Sequence, residues 1–390
     1  MTSPDEADLR AALSAVCDPD LLRGLGELGM VRDLQVRRRG VEVTLALPVA
    51  GWPPTDELLA RVRRALSPPA ATVEVSTVVM DGAERAELRA TLARPPGGEP
   101  GPVPSAHRHG PTGPPAPLGH EEGRPNRFMA PGSPTRVIGI SSGKGGVGKS
   151  SVTVNLAVAL AAAGHEVGLL DADIYGFSVP KMLGVDRDPT AIDDLLVPPV
   201  VHGVRCLSMG FFVPDAQPVI WRGPMLHKTL EQFLVDAYWG EPEYLLVDMP
   251  PGTGDVALSL GQYLPRTEIL VVTTPQAAAQ RVAQRSAYAA KQLKLPVRGV
   301  IENMSWFTGD DGHRYELFGS GGGAALAQSL GVGLLAQLPF INALRQGGDD
   351  GKPIAAVDPE SDVAKSFAEL AGKVVDLGRA RVYRSELSVR

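Results

Sequence analysis

"VIGISSGKGGVGKSSVTVNLAVALAAAG" occupies residues 137–164, where a short apolar run leads through a glycine-rich stretch into a segment of helical character. Gly143, Gly148, Lys149 and Ser150 fit the pattern GxxxxGK[ST] of phosphate-binding loops. Such a loop needs a strand before it and a helix after it, and both stand in place here. The stretch therefore predicts a phosphate site at a strand-to-helix turn rather than an incidental glycine-rich turn.

The chemistry of such a loop gives each residue type a role. Glycines let consecutive backbone amides point inward, and the N-terminus of the helix adds a positive dipole. We expect Lys149 to neutralise the β and γ phosphates of a nucleotide and Ser150 to bind Mg²⁺. The predicted nucleotide-binding residues of the loop are Gly143, Lys144, Gly145, Gly146, Val147, Gly148, Lys149, Ser150 and Ser151.

Short, almost wholly apolar runs alternate with helical segments at 150–163, 224–238 and 277–293. Runs of this kind predict strands that are covered on both faces. The alternation predicts an α/β fold with a doubly wound, mostly parallel sheet, in which ligands bind at the carboxyl ends of the strands. The predicted strands are "RVIGIS", "EVGLLD", "YLLVDMP", "EILVVTTP" and "VRGVIEN".

Acidic residues follow two of these strands. "YLLVDMPPGTGD" ends its strand at Asp248, which is predicted to hold Mg²⁺ through water, and Gly252 begins a turn whose amides can face the γ-phosphate. "GLLDADIYGFSVP" ends its strand at Asp171, and Asp173 follows two residues later. Asp173 is the predicted catalytic residue that orients the attacking water. The alternative for Asp171 is that it only caps the loop.

The sequence predicts two domains and a linker. Residues 1–93 contain helical segments and alternating strands, which predict a small α+β domain. Residues 94–134 hold 12 prolines and 8 glycines and almost no core-forming residue, which predicts a disordered linker. Residues 135–380 form the predicted phosphate-binding domain.

Composition excludes several classes of function. The net charge of −6 disfavours binding to nucleic acid or to anionic membranes. The acidic start "MTSPDEADLR" lacks the features of a signal peptide, and no apolar run is long enough to span a bilayer, so a cytoplasmic protein is expected. Cys17 and Cys206 lack CxxC spacing, so one chain cannot build a cysteine-only metal site.

Four motifs, in this order, resemble the Mrp/ApbC family of P-loop ATPases, which are relatives of MinD and of the nitrogenase iron protein. They are "GKGGVGKSS", "DADIYGFSVP", "WRGPM" and "LLVDMPPGTGD". "DPDLLRGLGELGMVRDLQV", near the N-terminus, is similar to the small iron-sulfur cluster assembly domain that precedes the ATPase in many of these proteins. The resemblance covers nearly the whole chain apart from the linker and the last residues.

The resemblance implies an ATPase that forms a face-to-face homodimer and hydrolyses ATP to ADP and phosphate. It implies that Lys144, the first lysine of the deviant Walker loop, reaches the phosphates of the partner's ATP and is catalytic together with Lys149 and Asp173. It also implies that Asn303, at the end of "VRGVIEN", contacts adenine. From the sequence alone, Asn303 is almost equally well explained as a strand-end cap.

The cluster motif of the family is missing. Members that carry a [4Fe-4S] cluster usually place a CxxC between "ENMS" and the glycine-rich "FGxGGG", so that two thiolates from each subunit bridge the dimer. Here that segment reads "ENMSWFTGDDGHRYELFGSGGG", without a cysteine, and its Asp310, Asp311 and His313 predict a solvated hairpin tip. Trp52 stands where the N-terminal domain commonly has a cysteine before a proline. Cys206, in an apolar run, predicts a buried core residue.

The leading hypothesis is an ATP-hydrolysing carrier that transfers iron-sulfur clusters to apoproteins or receives them from assembly proteins. The alternative is a nucleotide-dependent switch or adaptor that carries no cluster, because the cysteines are absent. A MinD-like membrane role ranks third, since "LGRARVYRSELSVR" at the C-terminus has no clear apolar face. A metabolic kinase is less favoured because no second substrate pocket is evident.

Overall fold

The computed structural model describes residues 6–37, 40–67, 72–94, 126–129, 132–174, 176–212, 223–252, 261 and 263–379. The chain divides into two compact units. The first contains residues 1–124 together with 189–199 and 236–240, and the second contains 125–188, 200–235 and 241–390.

Strands and helices are numbered along the chain within the described residues. The strands are β1 (Val31–Arg37), β2 (Gly40–Leu47), β3 (Val73–Val79), β4 (Arg136–Ser142), β5 (Val167–Asp171), β6 (Thr190–Ile192), β7 (Leu195–Val197), β8 (Val200–Val201), β9 (Val204–Ser208), β10 (Tyr244–Asp248), β11 (Glu268–Thr273), β12 (Val297–Glu302), β13 (Phe307–Thr308), β14 (Arg314–Tyr315) and β15 (Gly333–Gln337). The helices are α1 (Glu6–Ala15), α2 (Thr55–Leu66), α3 (Gly82–Leu92), α4 (Lys149–Ala162), α5 (Val179–Leu183), α6 (Gly223–Val235), α7 (Ala277–Gln292), α8 (Gly322–Leu330), α9 (Asn342–Asp350), α10 (Ile354–Val357) and α11 (Asp362–Asp376).

The first unit is built on a three-stranded sheet in the order β1-β2-β3, in which β1 and β2 are antiparallel and β2 and β3 are parallel. Alternation along β2 turns Val41, Val43 and Leu45 into the core. The amphipathic helix α2 buries Leu58, Val62 and Leu66. These are the elements expected of a small α+β domain.

Two later segments complete the core of this unit. Residues 190–197 form the hairpin of β6 and β7, and Ile192, Val197 and Tyr238 belong to the same apolar cluster as the residues of β2 and α2. Arg85 of α3 donates a hydrogen bond from its Nε to Asp193 over 3.0 Å. The first unit is therefore not a continuous stretch of sequence.

The second unit contains an eight-stranded sheet in the order β15-β12-β11-β4-β10-β5-β9-β8. All neighbours are parallel except β8 and β9, which are antiparallel. Every residue of β4, β5, β9, β10 and β11 is buried. This burial explains why these strands are continuous apolar runs instead of alternating ones.

Helix α4 lies inside the second unit, and ten of its residues are buried. It packs against α11, α10 and α5 and over the strands β5 and β10. Because its surface is covered on most sides, the helix is apolar almost all round. The loop before α4 is therefore held between a buried strand and a buried helix.

The five predicted strands and the three predicted helices of this region are confirmed, with boundaries shifted by up to three residues. Gly164 ends α4 with a φ of 93°, a conformation that glycine adopts at low cost. β9 was not among the predicted strands, although its apolar sequence surrounds Cys206. The predicted disordered linker falls mainly on residues 95–125, which lie outside the described residues, whereas Phe128 is buried in the second unit.

Trp52 makes a buried hydrogen bond that is expected to stabilise the first unit. Its indole Nε1 donates a hydrogen bond of 2.9 Å to Oδ2 of Asp18, and both side chains are buried. Burial raises the pKa of Asp18, which shows how little solvent reaches this carboxyl group. We expect Trp52→Phe to lower the free energy of unfolding by about 1–3 kcal/mol, because it leaves a buried acceptor without its donor.

Chemical denaturation of the full chain measures this change. A double-mutant cycle with Asp18→Asn should show non-additive losses if the hydrogen bond matters. Additive losses would mean that Trp52 contributes only by packing.

Candidate nucleotide-binding site

Three glycines of the loop are required by backbone geometry. Gly146 and Gly148 have φ values of 78° and 81°, in the left-handed region. Gly143 lies so close to α7 that a Cβ atom there would be 2.2 Å from the backbone nitrogen of Ala283. The glycines therefore let the loop turn tightly and lie against the helix.

Lys149 is the first residue of α4, and its side chain is 6% exposed. Its Nζ atom lies 2.6 Å from Oδ2 of Asp248 and 3.4 Å from Oδ2 of Asp173. Asp248 ends β10 and Asp173 follows β5, so three adjacent chain segments bring these groups together. The structure thus joins Lys149, Asp173 and Asp248, which the sequence predicted for one site.

Both carboxylate oxygens of Asp248 have partners. Oδ2 accepts hydrogen bonds from Lys149 Nζ at 2.6 Å and from the Ser150 hydroxyl at 2.7 Å. Oδ1 lies 2.7 Å from the hydroxyl of Thr153. Carboxylate and hydroxyl oxygens are the hard ligands that Mg²⁺ prefers, so Ser150 and Asp248 form a donor set that fits this ion.

Asp171 ends β5 and is fully buried. Its Oδ1 accepts from the backbone nitrogen of Asp173, and its Oδ2 accepts from the hydroxyl of Ser208 and from the backbone nitrogen of Val179. Burial, together with the negative charge of Asp248, raises the pKa of Asp171 to about 7. Asp171 therefore holds the two ends of the loop that carries Asp173, which agrees with its interpretation as a loop cap.

Lys144 is half-buried, and its Nζ donates a hydrogen bond of 3.2 Å to Oε1 of Gln276 in the same chain. Gln276 is the residue before α7. Gly145 and Gly146, which follow Lys144, are exposed. Lys144, the first lysine of the loop, thus bonds Gln276 and not the carboxylates around Lys149.

Asn303 follows β12 and is 2% exposed. Its amide Nδ2 donates to the carbonyl oxygen of Val147 over 3.0 Å, so the residue supports the phosphate loop from the neighbouring strand. Its Oδ1 is buried and has no hydrogen-bond partner. An unpaired buried acceptor beside the loop is a position where a ligand with a donor group would bind favourably.

Gly252 lies at the end of the turn that follows β10. Its backbone nitrogen donates to the carbonyl oxygen of Ser142 over 3.0 Å, and its φ is 89°. The turn after Asp248 is therefore attached to the phosphate loop. Thr253 and Gly254, as well as Trp221 and Arg222 of the "WRGPM" motif, lie outside the described residues.

The two cysteines do not form a cluster site. Cys206 is fully buried in β9, and burial raises the pKa of its thiol well above the ordinary value. Cys17 is exposed in the first unit. Asp310, Asp311 and His313 are exposed at the tip of the hairpin of β13 and β14, as predicted. Within the described ranges, no group of three or more His, Cys, Asp or Glu residues could hold a metal ion.

Sequence reasoning missed three residues that shape the site. Thr153 bonds Asp248, Ser208 bonds Asp171, and Gln276 bonds Lys144. Thr153 carried a detectable signal, because it lies four residues after Lys149 on a helix and so faces the same side. Ser208 and Gln276 lie far from the motifs in sequence and carried none.

Two protein-family models match the chain. The family described as "NUBPL iron-transfer P-loop NTPase" matches residues 133–375. The family described as "Iron-sulfur cluster assembly protein" matches residues 6–78. The first match covers more than half of the chain and contains all the residues of the candidate site.

Curated relatives extend over nearly the whole chain. The iron-sulfur cluster carrier protein of Mycobacterium tuberculosis is 43% identical over 374 residues, which cover 94% of this chain and 92% of the relative. The iron-sulfur cluster carrier protein of Synechocystis is 39% identical over 373 residues, covering 93% of this chain and 96% of the relative. A nucleotide-binding protein of Archaeoglobus fulgidus, solved in complex with ADP, matches with a TM-score of 0.51 and 33% identity, over 60% of this chain and 91% of that protein.

None of the helices in the described ranges is both long enough and apolar enough to cross a membrane.

The close approach of Gly143 to α7 leaves no room for a side chain at this position. We expect Gly143→Ala to destabilise the protein by about 1–3 kcal/mol or more, because the new methyl group would overlap the backbone of α7. Gly145→Ala is the matched control, since a Cβ at Gly145 meets nothing within 4 Å. Thermal unfolding compares the two variants, and equal melting temperatures would show that Gly143 is not packed against α7.

The raised pKa of Asp171 makes the stability of the folded protein depend on pH. An aspartate in an unfolded chain ionises near pH 3.9, whereas Asp171 in the folded, nucleotide-free protein has a pKa of about 7. The folded state therefore binds this proton more tightly, and its stability advantage is complete below about pH 4 and is lost as the pH rises through about 7. We expect nucleotide-free wild type to lose stability between pH 5.5 and pH 8 more steeply than Asp171→Asn.

Denaturation of both proteins across this pH range measures the two slopes. The slope is the readout, because Asp171→Asn also removes an acceptor and changes the absolute stability. Parallel curves would show that Asp171 does not titrate in this range.

Proposed function

The chain belongs to the NUBPL iron-transfer P-loop NTPase family, and from this premise we propose that it is an ATP-hydrolysing homodimer that transfers iron-sulfur clusters to apoproteins. The observation that carries the catalytic part is the convergence of Lys149, Ser150, Asp173 and Asp248 at the carboxyl ends of β4, β5 and β10. Its relatives named iron-sulfur cluster carrier proteins support the choice of cargo. We expect the protein to act in the cytoplasm.

The ammonium group of Lys149 performs the first step. In this structure it compensates the negative charges of Asp248 and Asp173. When ATP enters the loop, Lys149 turns to the β and γ phosphates and neutralises part of their charge. Ser150 and Asp248 would then hold Mg²⁺, which supplies a positive charge to the phosphate oxygens when it is bound.

Asp173 has the position required to orient the attacking water. Its carboxylate lies at the edge of the cluster, 3.4 Å from Lys149, and its side chain is 10% exposed. Asp171 anchors the backbone on both sides of it, so the loop that carries Asp173 is held at the site. Hydrolysis requires that water, Asp173 and the γ-phosphate be aligned, and this anchoring supports the alignment.

Asn303 supports ATP over GTP as the substrate. Its Nδ2 is occupied by the carbonyl oxygen of Val147, which leaves the buried Oδ1 as an acceptor. Adenine presents an amino group at position 6 of its ring, whereas guanine presents a carbonyl oxygen there. An acceptor facing that position therefore favours adenine and repels guanine.

Lys144 supports the dimer. The sequence of the loop places this second cation among glycines without a packing role, and its 3.2 Å hydrogen bond to Gln276 is with a half-buried, replaceable partner. In the proposed dimer Lys144 leaves Gln276 and reaches the phosphates of the partner's nucleotide. There its charge would offset the negative charge that develops during phosphoryl transfer.

A second candidate function, a nucleotide-dependent switch that carries no cluster, is favoured by the cysteines. The thiol of Cys206 is enclosed in β9, and in the described part of the chain Cys17 is the exposed cysteine. One exposed thiolate from each subunit supplies two ligands, whereas an all-thiolate [4Fe-4S] cluster needs four. The chain's own thiols therefore do not fit a bridging cluster, and a carrier would need ligands from a partner protein.

Anaerobic reconstitution with iron and sulfide decides between the two candidates. With a small thiol added to supply the ligands that the chain lacks, the carrier proposal expects bound iron and sulfide with charge-transfer absorbance. Both should be lost in Cys17→Ala but not in Cys206→Ala, because Cys17 is exposed and Cys206 is buried. Wild type without bound iron and sulfide would leave the switch. Loss of the cluster in Cys206→Ala alone would contradict the burial of that thiol.

Substitution of the two lysines tests the catalytic proposal. We expect Lys149→Ala to lose nucleotide binding and turnover, since it removes the charge that meets the phosphates. Lys144→Ala should keep nucleotide binding and lose turnover. Isothermal titration with ATP and a phosphate-release assay measure the two properties, and equal ATPase rates in wild type and Lys144→Ala would contradict the proposed role.

Mixed dimers distinguish action across the dimer from action within one chain. Lys144→Ala and Asp173→Ala are each expected to be inactive alone. If Lys144 acts on the partner's nucleotide, their mixture should regain activity, because one site then has its own Asp173 and receives Lys144 from the partner. A mixture that forms heterodimers and stays inactive would place Lys144 in its own site.

A further inference from the structure

Thr153 lies in α4, one helical turn after Lys149, and its side chain is fully buried. Its hydroxyl oxygen is 2.7 Å from Oδ1 of Asp248 and 2.9 Å from the backbone carbonyl oxygen of Lys149. The hydroxyl group has a single proton, so it can donate fully to one of the two acceptors. The ionised carboxylate is the stronger acceptor and the nearer one, so the proton goes to Asp248.

The partners of Asp248 differ in what nucleotide binding requires of them. Lys149 and Ser150 both contact Oδ2 in this structure, and the proposed function needs both of them for the phosphates and the metal ion. Thr153 contacts the other oxygen and has no such second task. It can therefore keep its hydrogen bond to Oδ1 when the other two groups turn away.

A carboxylate held through one oxygen presents the other in a defined direction. Asp248 ends a fully buried strand, and partial rotation about its last side-chain bond would turn the carboxylate plane. The hydrogen bond from Thr153 opposes this rotation, because turning Oδ1 away would leave that buried carboxylate oxygen without its donor. In this arrangement Oδ2 faces Lys149 and Ser150.

We propose that Thr153 is a positioning residue that fixes the carboxylate plane of Asp248, so that Oδ2 receives the hydrated Mg²⁺ which accompanies the nucleotide. The proposal rests on the proposed function, in which Asp248 serves the metal ion. Thr153 acts through Asp248 and does not touch the nucleotide. Hydrogen-bonded supports of this kind commonly change metal affinity by about 10-fold to 100-fold when they are removed.

The test uses Thr153→Val, which keeps the shape of the side chain and removes the hydroxyl group, and Thr153→Ser, which keeps the hydroxyl group. In the full chain, ADP affinity is measured by isothermal titration over a series of Mg²⁺ concentrations and in EDTA. ATPase rates are measured over the same Mg²⁺ series.

We expect Thr153→Val to raise the half-saturating Mg²⁺ concentration about 10-fold in both measurements. Its ADP affinity in EDTA should stay at the wild-type value, because the phosphate loop is intact. Thr153→Ser should restore the wild-type Mg²⁺ dependence. Ser366→Ala is the matched control, since the exposed Ser366 hydroxyl donates to the carbonyl oxygen four residues earlier in α11, as Thr153 could in α4, and has no bond to Asp248.

Three results would overturn the proposal: an unchanged Mg²⁺ dependence in Thr153→Val, an equal defect in Thr153→Ser, or a loss of ADP affinity that is the same with and without Mg²⁺. Thr153→Ala repeats the test if the valine variant unfolds, and it must show the same Mg²⁺ defect. If wild type binds ADP in a Mg²⁺-dependent way but does not hydrolyse ATP, the proposed turnover is refuted. The role of Thr153 is then decided by the ADP-binding measurements alone. ADP binding in wild type that ignores Mg²⁺ would refute the role of Thr153 and leave the nucleotide site standing.

Discussion

The site depends on the ion pairs that the buried ammonium group of Lys149 makes with two carboxylates. Three carboxyl groups, those of Asp171, Asp173 and Asp248, gather at the ends of two neighbouring strands. Mutual repulsion in a buried region would be costly without a cation, and Lys149 meets two of them directly. Burial, and in addition the negative charge of Asp248, raises the pKa of Asp171 to about 7.

This charge arrangement links the site to its proposed function. A lysine bound to carboxylates is available for a ligand that carries more negative charge and brings its own metal ion, as a magnesium nucleotide does. In the proposed exchange, the phosphates replace the carboxylates as partners of the Lys149 ammonium group. Mg²⁺ replaces that ammonium group as the cation beside the carboxylates. Asp171 bonds the loop that carries Asp173, and Thr153 bonds the carboxylate of Asp248, so both carboxylates have support that does not come from Lys149.

The cysteines bear on the proposed iron-sulfur cargo and not on the nucleotide site. The family and the relatives point to iron transfer, while Cys206 is buried in β9 and Trp52 is buried in the first unit. Trp52 is itself committed to Asp18 through a buried hydrogen bond. The contacts in the structure therefore support the proposed ATPase activity. The proposed carrier activity depends on cluster ligands from a partner protein.

The sequence by itself determined the phosphate loop, the five strands around it and the amphipathic helices, because these features depend on local patterns of glycine, charge and apolar spacing. It also indicated Asp173 and Asp248, since parallel strands bring their carboxyl ends to one edge. Only the tertiary structure decided that Thr153 holds Asp248, that Ser208 holds Asp171, and that Ile192 and Tyr238 complete the core of the first unit. The reason is physical: these contacts join residues distant in sequence, and their burial and charge exist only after the strands are paired and the helices packed.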